Sequence, residues 1–235
     1  MIPFPFQAGQ LGMGGSSDAD ALHWNPSDKD SNIALSPDLQ TMWNSLNNAH
    51  KMVRGYVSRS SGKRYIEFYT LIARGGVGTA PEGLIAGFIV AGTSLGSGNY
   101  PGVANNTFGL QWRRFASGGN SIFRYLNGAS ANAGVDAFNG TPAYLGIAVD
   151  FSNNQVWWNV NGTWAGGLTP QGSPSTGSFA MNSGQTLYPA ASCFYPVSSN
   201  TDARQRILTT MGELRIGAAA FGSGQALDGF TPWSD

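Results

Sequence analysis

Residues Tyr144 to Trp164 read YLGIAVDFSNNQVWWNVNGTW, and their alternation decides the fold. Two β-rich runs, Tyr144 to Phe151 and Gln155 to Val160, are joined by Ser152, Asn153 and Asn154, and Asn161-Gly162 makes a second tight turn. Asparagine and glycine accept the positive φ that short hairpin turns demand, so a meander of three antiparallel strands is expected. In its middle strand Val156, Trp158 and Val160 share one face while Gln155, Trp157 and Asn159 share the other, because side chains alternate with period two. If the valine face is core, Trp157 points outward, into a neighbouring chain, or packs beneath a long loop.

Working outward, short apolar stretches from Asn32 onward are separated by glycine, asparagine and proline at intervals of roughly 8 to 12 residues, the spacing of an all-β sandwich or barrel. Arg64 to Ile72 alternates with apolar residues on both sides, as a central strand does. Ser36-Pro37-Asp38 could cap a helix through Leu39, Met42, Trp43 and Leu46. Asn44, Asn47 and Asn48 are poor helix formers, however, and the surrounding pattern is β. Segments 74–83, 92–107, 116–140 and 165–186, rich in glycine and asparagine, read as long loops, where binding usually sits. Residues 1–22 differ from all of this: they carry no charge before Asp18, and Pro3 and Pro5 hold Phe4 and Phe6 on an extended segment. We read 1–22 as an arm, anchored through Phe4, Phe6 and Leu11, and 23–235 as the sandwich domain. The arm either folds back over the domain's own face or docks on another chain.

The chain has 235 residues, enough for a core that needs neither disulfide nor metal. Only 11% are charged, against roughly 25% in an average globular chain, and 13 basic residues balance 13 acidic ones. That balance leaves no cation surplus for the counterion release that drives nucleic-acid binding, and none for an anionic membrane surface. No apolar run approaches the ~20 residues that span a bilayer as a helix, and the amino terminus lacks the basic and unbroken apolar regions of a signal peptide. Synthesis in a cytoplasm is therefore expected. The one cysteine, Cys193, lies in an apolar run and reads as a buried structural thiol.

Catalytic material is scarce. Glycoside hydrolysis needs two flanking carboxyl groups, whereas Glu67, Glu82 and Glu213 include no pair spaced to share one strand face. Asp150 ends a strand at a hairpin mouth and reads as a turn acceptor. His23 and His50 stand in neither a triad nor a metal-ligand spacing, and Asp28-Lys29-Asp30 lacks the rest of a calcium loop and reads as a solvated turn. Lys51, Arg54, Arg59, Lys63 and Arg64 read as a solvated basic face. No catalytic residue, metal or cofactor is expected. Surface recognition remains, and Trp112, Arg113, Arg114, Tyr125, Trp157 and Trp164 combine planar aromatics with guanidinium groups, the side chains enriched at interface hot spots and sugar-stacking platforms.

Five segments together resemble the SPRY domain in its bacterial and phage form. Trp24 to Ser36, WNPSDKDSNIALS, resembles its first strand and turn, and Val53 to Phe68, VRGYVSRSSGKRYIEF, its arginine-glycine strand, Ser-Gly-Lys turn and Tyr-x-Glu strand. Tyr144 to Trp164 is similar to the signature meander, Thr186 to Phe194, TLYPAASCF, to a Tyr-Pro-Ala strand, and Gly229 to Trp233, GFTPW, to the closing segment. The resemblance implies a concanavalin A-like sandwich of two antiparallel sheets, and it argues against a helix at 36–48. It further implies a phage virion component such as a tail, fibre or capsid-decoration protein. In that setting the arm contacts other virion proteins, the loops contact a host-surface glycan or protein, and fibre symmetry suggests a homotrimer. The alternatives are an adaptor in the bacterial cytoplasm holding a short peptide, and a carbohydrate-binding receptor module.

Overall fold

The computed structural model describes residues 22–44, 49–71, 82–96, 98–114, 120–133, 143–165, 170, 179–194, 204–208 and 229–234. The arm residues Phe4, Phe6 and Leu11 lie outside them. Within these residues the regular structure is β: β1 (Trp24–Lys29), β2 (Ile33–Leu35), β3 (Thr41–Asn44), β4 (Lys51–Gly55), β5 (Lys63–Leu71), β6 (Glu82–Val90), β7 (Phe108–Arg114) and β8 (Asn120–Leu126). There follow β9 (Ala129–Asn132), β10 (Ala143–Asp150), β11 (Gln155–Val160), β12 (Thr163–Trp164), β13 (Phe179–Ala180), β14 (Leu187–Phe194), β15 (Arg204–Leu208) and β16 (Thr231–Pro232). One sheet runs β1-β4-β14-β6-β7-β8-β9, and the other runs β12-β11-β10-β5-β15-β3-β2, with β13 paired to β11 and β16 to β5. All pairings are antiparallel except β16 against β5.

The expected meander is β10, β11 and β12, with Leu145 opposite Val160 and Asp150 opposite Gln155. Asn161 and Gly162 both take positive φ, 48° and 88°, as a primed two-residue turn requires. Strand β5 is central as expected, flanked by β10 and β15. Its Ile66 and Phe68 enter the core between the sheets, together with Val156, Trp158 and Val160 of β11, Phe88 of β6 and Phe108 of β7. Burying each such side chain contributes about 1.5–3 kcal/mol relative to leaving it in water. Trp233 closes this core, stacked on Phe88 at 4.5 Å, with its indole Nε1 donating to the carbonyl of Val57 at 3.1 Å. The core also includes Leu22.

Several expectations change. No helix forms through Leu39 to Asn44: Leu39 takes φ 56°, the Ser36 hydroxyl accepts from the Thr41 amide at 2.9 Å, and Thr41–Asn44 is strand. The short polar side chains complete a turn where a helix would have needed them as caps. Segment 116–140 contains the hairpin β8–β9, turned by Asn127 (φ 51°) and Gly128 (φ 82°), the same Asn-Gly device as at 161–162. Asp28 is not a solvated turn residue. It lies in β1 and pairs with Arg54 of the adjacent β4 at 2.7 Å, while Asp30 pairs with Lys51 at 3.5 Å. Strand pairing therefore matches these carboxylates to cations that the sequence suggested were a solvated face. Asp150 is the turn acceptor expected, its carboxylate receiving the amides of Ser152 at 2.9 Å and Asn153 at 3.1 Å. Cys193 is fully buried, and burial pushes its thiol well above the ordinary range.

Candidate functional site

The side chains expected to form a recognition surface occupy two different sheets. Trp112, Arg113 and Arg114 end β7, with Cα partners Ile122, Ser121 and Asn120 in β8. Their side chains lie outside the described set. Tyr125, in β8, is buried: its hydroxyl donates to Gln111 Oε1 at 2.7 Å and its ring meets Tyr100 edge-on at 5.1 Å. Trp157 and Trp164 belong to the other sheet, where they form a second apolar cluster with Tyr65, Ala148 and Phe230. Alternation turns Trp157 away from the Val156 face as expected, yet it is only 4% exposed, its ring edge-on to Phe230 at 6.2 Å. Within that cluster Tyr65 donates to Glu67 Oε1 at 2.7 Å and accepts from Asn159 Nδ2 at 3.2 Å. Burial foremost, then the neighbouring Glu67, raises the Tyr65 phenol well above its usual range. Glu67, fully buried, is thus a structural acceptor. Tyr125, Trp157 and Trp164 are buried in this fold, packed against Tyr100, Phe230 and Tyr65 respectively.

The described residues instead gather a pocket at one end of the sandwich, where β6 and β8 finish and β7, β11 and β14 begin. Its construction starts with Gly109. A Cβ there would stand 2.1 Å from the carbonyl oxygen of Pro101, so only glycine lets segment 100–107 lie against the sheet. Gly102, at φ 95°, then packs on Tyr125, and its carbonyl accepts the Gly128 amide at 2.8 Å. Gly102 N–H donates to Thr107 Oγ1 at 3.1 Å, which fixes the return of the loop. The result places Asn106 beside Asn127: the Asn106 amide donates to Asn127 Oδ1 at 2.7 Å. On the opposite side the Met181 amide donates to the Asn154 carbonyl at 2.8 Å, which brings Asn182 to the same mouth, where its Nδ2 donates to Asn106 Oδ1.

This pocket has an enclosed volume of about 30 Å³ and opens to solvent at its mouth, room for a small head group. Its floor is apolar, from Phe88, Phe108, Leu126, Val156 and Leu187, and its rim carries Asn106, Asn127 and Asn182. No charged side chain lines it. Such a site can desolvate an apolar patch and hydrogen-bond a neutral head, and its lining offers no acid, base or thiol for bond cleavage. Sequence reading missed these residues: the three asparagines sit in segments without periodicity and meet only through contacts 21 and 76 residues apart. The Asn127-Gly128 dipeptide was the one local signal that could have located the mouth.

No protein-family model matches the sequence, and comparison with curated proteins finds no match. Solved structures do match. The SPRY domain of human HERC1 superposes with a TM-score of 0.50 at 15% identity, covering 80% of this chain and 98% of that one. The carbohydrate recognition domain of Emp47p gives 0.48 at 14% identity, covering 81% and 93%, and that of Emp46p in its metal-free form gives 0.48 at 12%, covering 77% and 85%. With its two antiparallel sheets in the order described above, the chain has a SPRY-type, concanavalin A-like β-sandwich fold.

Proposed function

We propose that this chain is a non-enzymatic recognition module on the outside of a phage particle, held to the assembly by residues 1–22 and binding its target at the loop end of the sandwich. The observation that carries the recognition reading is the pocket: an apolar floor under a neutral, amide-bearing rim, built to hold a ligand without transforming it. Placement on a virion is supported by the segments that resemble phage-type SPRY sequences. It is also supported by a chain whose charged fraction is 11% and whose turns use glycine and asparagine, a composition suited to a hydrogen-bonding surface. The arm would join the particle by ordering on its partner, which lets a short segment cover a large contact.

Mass spectrometry of purified particles tests the placement, with the chain expected at structural copy number. Its absence from particles would refute the virion role and leave the module free of it. Deletion of residues 1–21, which spares the core residue Leu22, is expected to leave a folded sandwich that no longer enters particles, whereas unfolding of the truncated chain would assign the arm to the core.

A further inference from the structure

We infer that the pocket between Asn106, Asn127 and Asn182 binds a 2-acetamido sugar, with the acetyl methyl on the apolar floor and the amide against the rim. This inference rests on the recognition reading and names its ligand. The argument is one of unused hydrogen-bonding groups. A backbone N–H can only donate, so its bond from Asn106 to Asn127 fixes the Asn127 oxygen toward the loop and leaves the Asn127 NH₂ to the mouth. Asn182 Nδ2 occupies Asn106 Oδ1, which leaves the Asn106 NH₂ as well, and Asn182 keeps its own Oδ1. The mouth therefore presents two carboxamide NH₂ groups and one carboxamide oxygen above Phe88 and Phe108. An acetamido group supplies the complement in sequence: a methyl for the floor, a carbonyl for the donors and an N–H for the Asn182 oxygen. The small pocket takes only the acetamide and opens at the rim, where Asn127 and Asn182 are exposed, so a pyranose ring follows the acetamide outward. The absence of charge from the lining disfavours phosphorylated, carboxylated or ammonium-bearing ligands, whose desolvation would go uncompensated.

Nuclear magnetic resonance titration of the full chain tests this with four probes: N-acetylglucosamine, glucose, glucosamine and N-methylacetamide. Saturable binding of N-acetylglucosamine is expected, with glucose and glucosamine at least about tenfold weaker, because they lack the acetyl methyl for the floor and the amide carbonyl for the rim donors, and with N-methylacetamide, which pairs the same groups, weaker for want of the ring's contacts. Asn127→Asp retains an oxygen for the Asn106 amide and tolerates the left-handed turn, yet replaces the donor by an anion. It is expected to keep the thermal midpoint and to weaken N-acetylglucosamine by at least about tenfold. Should that variant lose its fold, Asn182→Ser at an exposed position carries the same test on the acceptor side. Equal affinity for glucose, or for N-methylacetamide, or no effect of either substitution, would overturn the ligand class. Silence of all four probes would overturn it too, while the virion placement is judged separately by the particle experiment.

Discussion

Replacing Gly109 by alanine probes whether the pocket's loop is held by steric fit. The new Cβ would meet the Pro101 carbonyl oxygen at 2.1 Å and Ile85 Cγ2 at 2.8 Å, and the first of these is backbone, so no rotamer change relieves it. Real Cβ contacts essentially never fall below 3.0 Å, so segment 100–107 must lift by about 0.9 Å. That motion carries the Gly128-to-Gly102 hydrogen bond, now 2.8 Å, past the useful range, and disturbs the Gly102-to-Thr107 bond at 3.1 Å. Two hydrogen bonds at ~1 kcal/mol each and overpacking at ~1–3 kcal/mol put the cost at about 3–5 kcal/mol. For a domain of this size that lowers the thermal midpoint by about 6–20 °C. Urea unfolding followed by tryptophan fluorescence measures it, with Gly92→Ala as the control. Gly92, unlike Gly109, has positive φ, 79°, and nothing stands within 4 Å of its added Cβ, so it loses only about 1–2 kcal/mol of backbone conformation. A Gly109→Ala loss no larger than the control's would refute the claim that close approach, and not chain flexibility, seats the loop.

Alkaline pH should unfold the protein by linkage. Tyr65 and Cys193 both hold their protons more tightly when folded, so above pH ~9–10 the unfolded chain releases protons that the folded chain keeps, and stability falls as pH rises, by up to ~1.4 kcal/mol per unit for each group. Tyr65→Phe should flatten its share of that slope and lower stability at neutral pH by about 1.5–3 kcal/mol through the lost bond to Glu67, both read from denaturation at several pH values. The Cys193 thiol should resist a thiol reagent in native buffer and react fully in denaturant; rapid native labelling would contradict its burial. Trp233→Ala should cost about 3–5 kcal/mol in a urea titration, since it removes the ring stacked on Phe88 and the bond to Val57, and a loss under ~1 kcal/mol would show that the closing segment is not part of the core.

What the sequence disclosed was whatever local chemistry encodes. The meander at 144–164 was legible because alternation and an Asn-Gly turn coincide there, and β5 because both of its faces are apolar. The identical turn at 127–128 was overlooked because the strand after it, ASAN, has no apolar alternation to mark it. Trp157 was assigned to the correct face, but whether a second face is wet depends on residues remote in sequence, here Phe230, which no periodicity announces. The basic stretch failed in the same way: Arg54 and Lys51 look solvated until β1 lies beside β4 and supplies Asp28 and Asp30. The pocket was illegible because each asparagine of its rim is an ordinary loop residue until three separate loops converge.

The rim owes its neutrality to turn chemistry. Among the described residues, four of the five non-glycine positions with positive φ are asparagines: 106, 127, 154 and 161. Asparagine tolerates this region better than other non-glycine residues, and here its side-chain oxygens also tie the turns to neighbouring backbone, Asn127 accepting the Asn106 amide and Asn161 the Tyr144 amide at 2.9 Å. Asn106 and Asn127 thus serve twice, turning the chain at the sandwich end and presenting their amides at the mouth, while Asn154 holds the strand that delivers Asn182. A long charged side chain at these positions would lose both the backbone tolerance and the short-range bond. A sandwich that builds its end from asparagine turns therefore acquires an uncharged, donor-rich rim as a consequence of folding, and the ligand chemistry open to it is constrained before any contact is selected for binding.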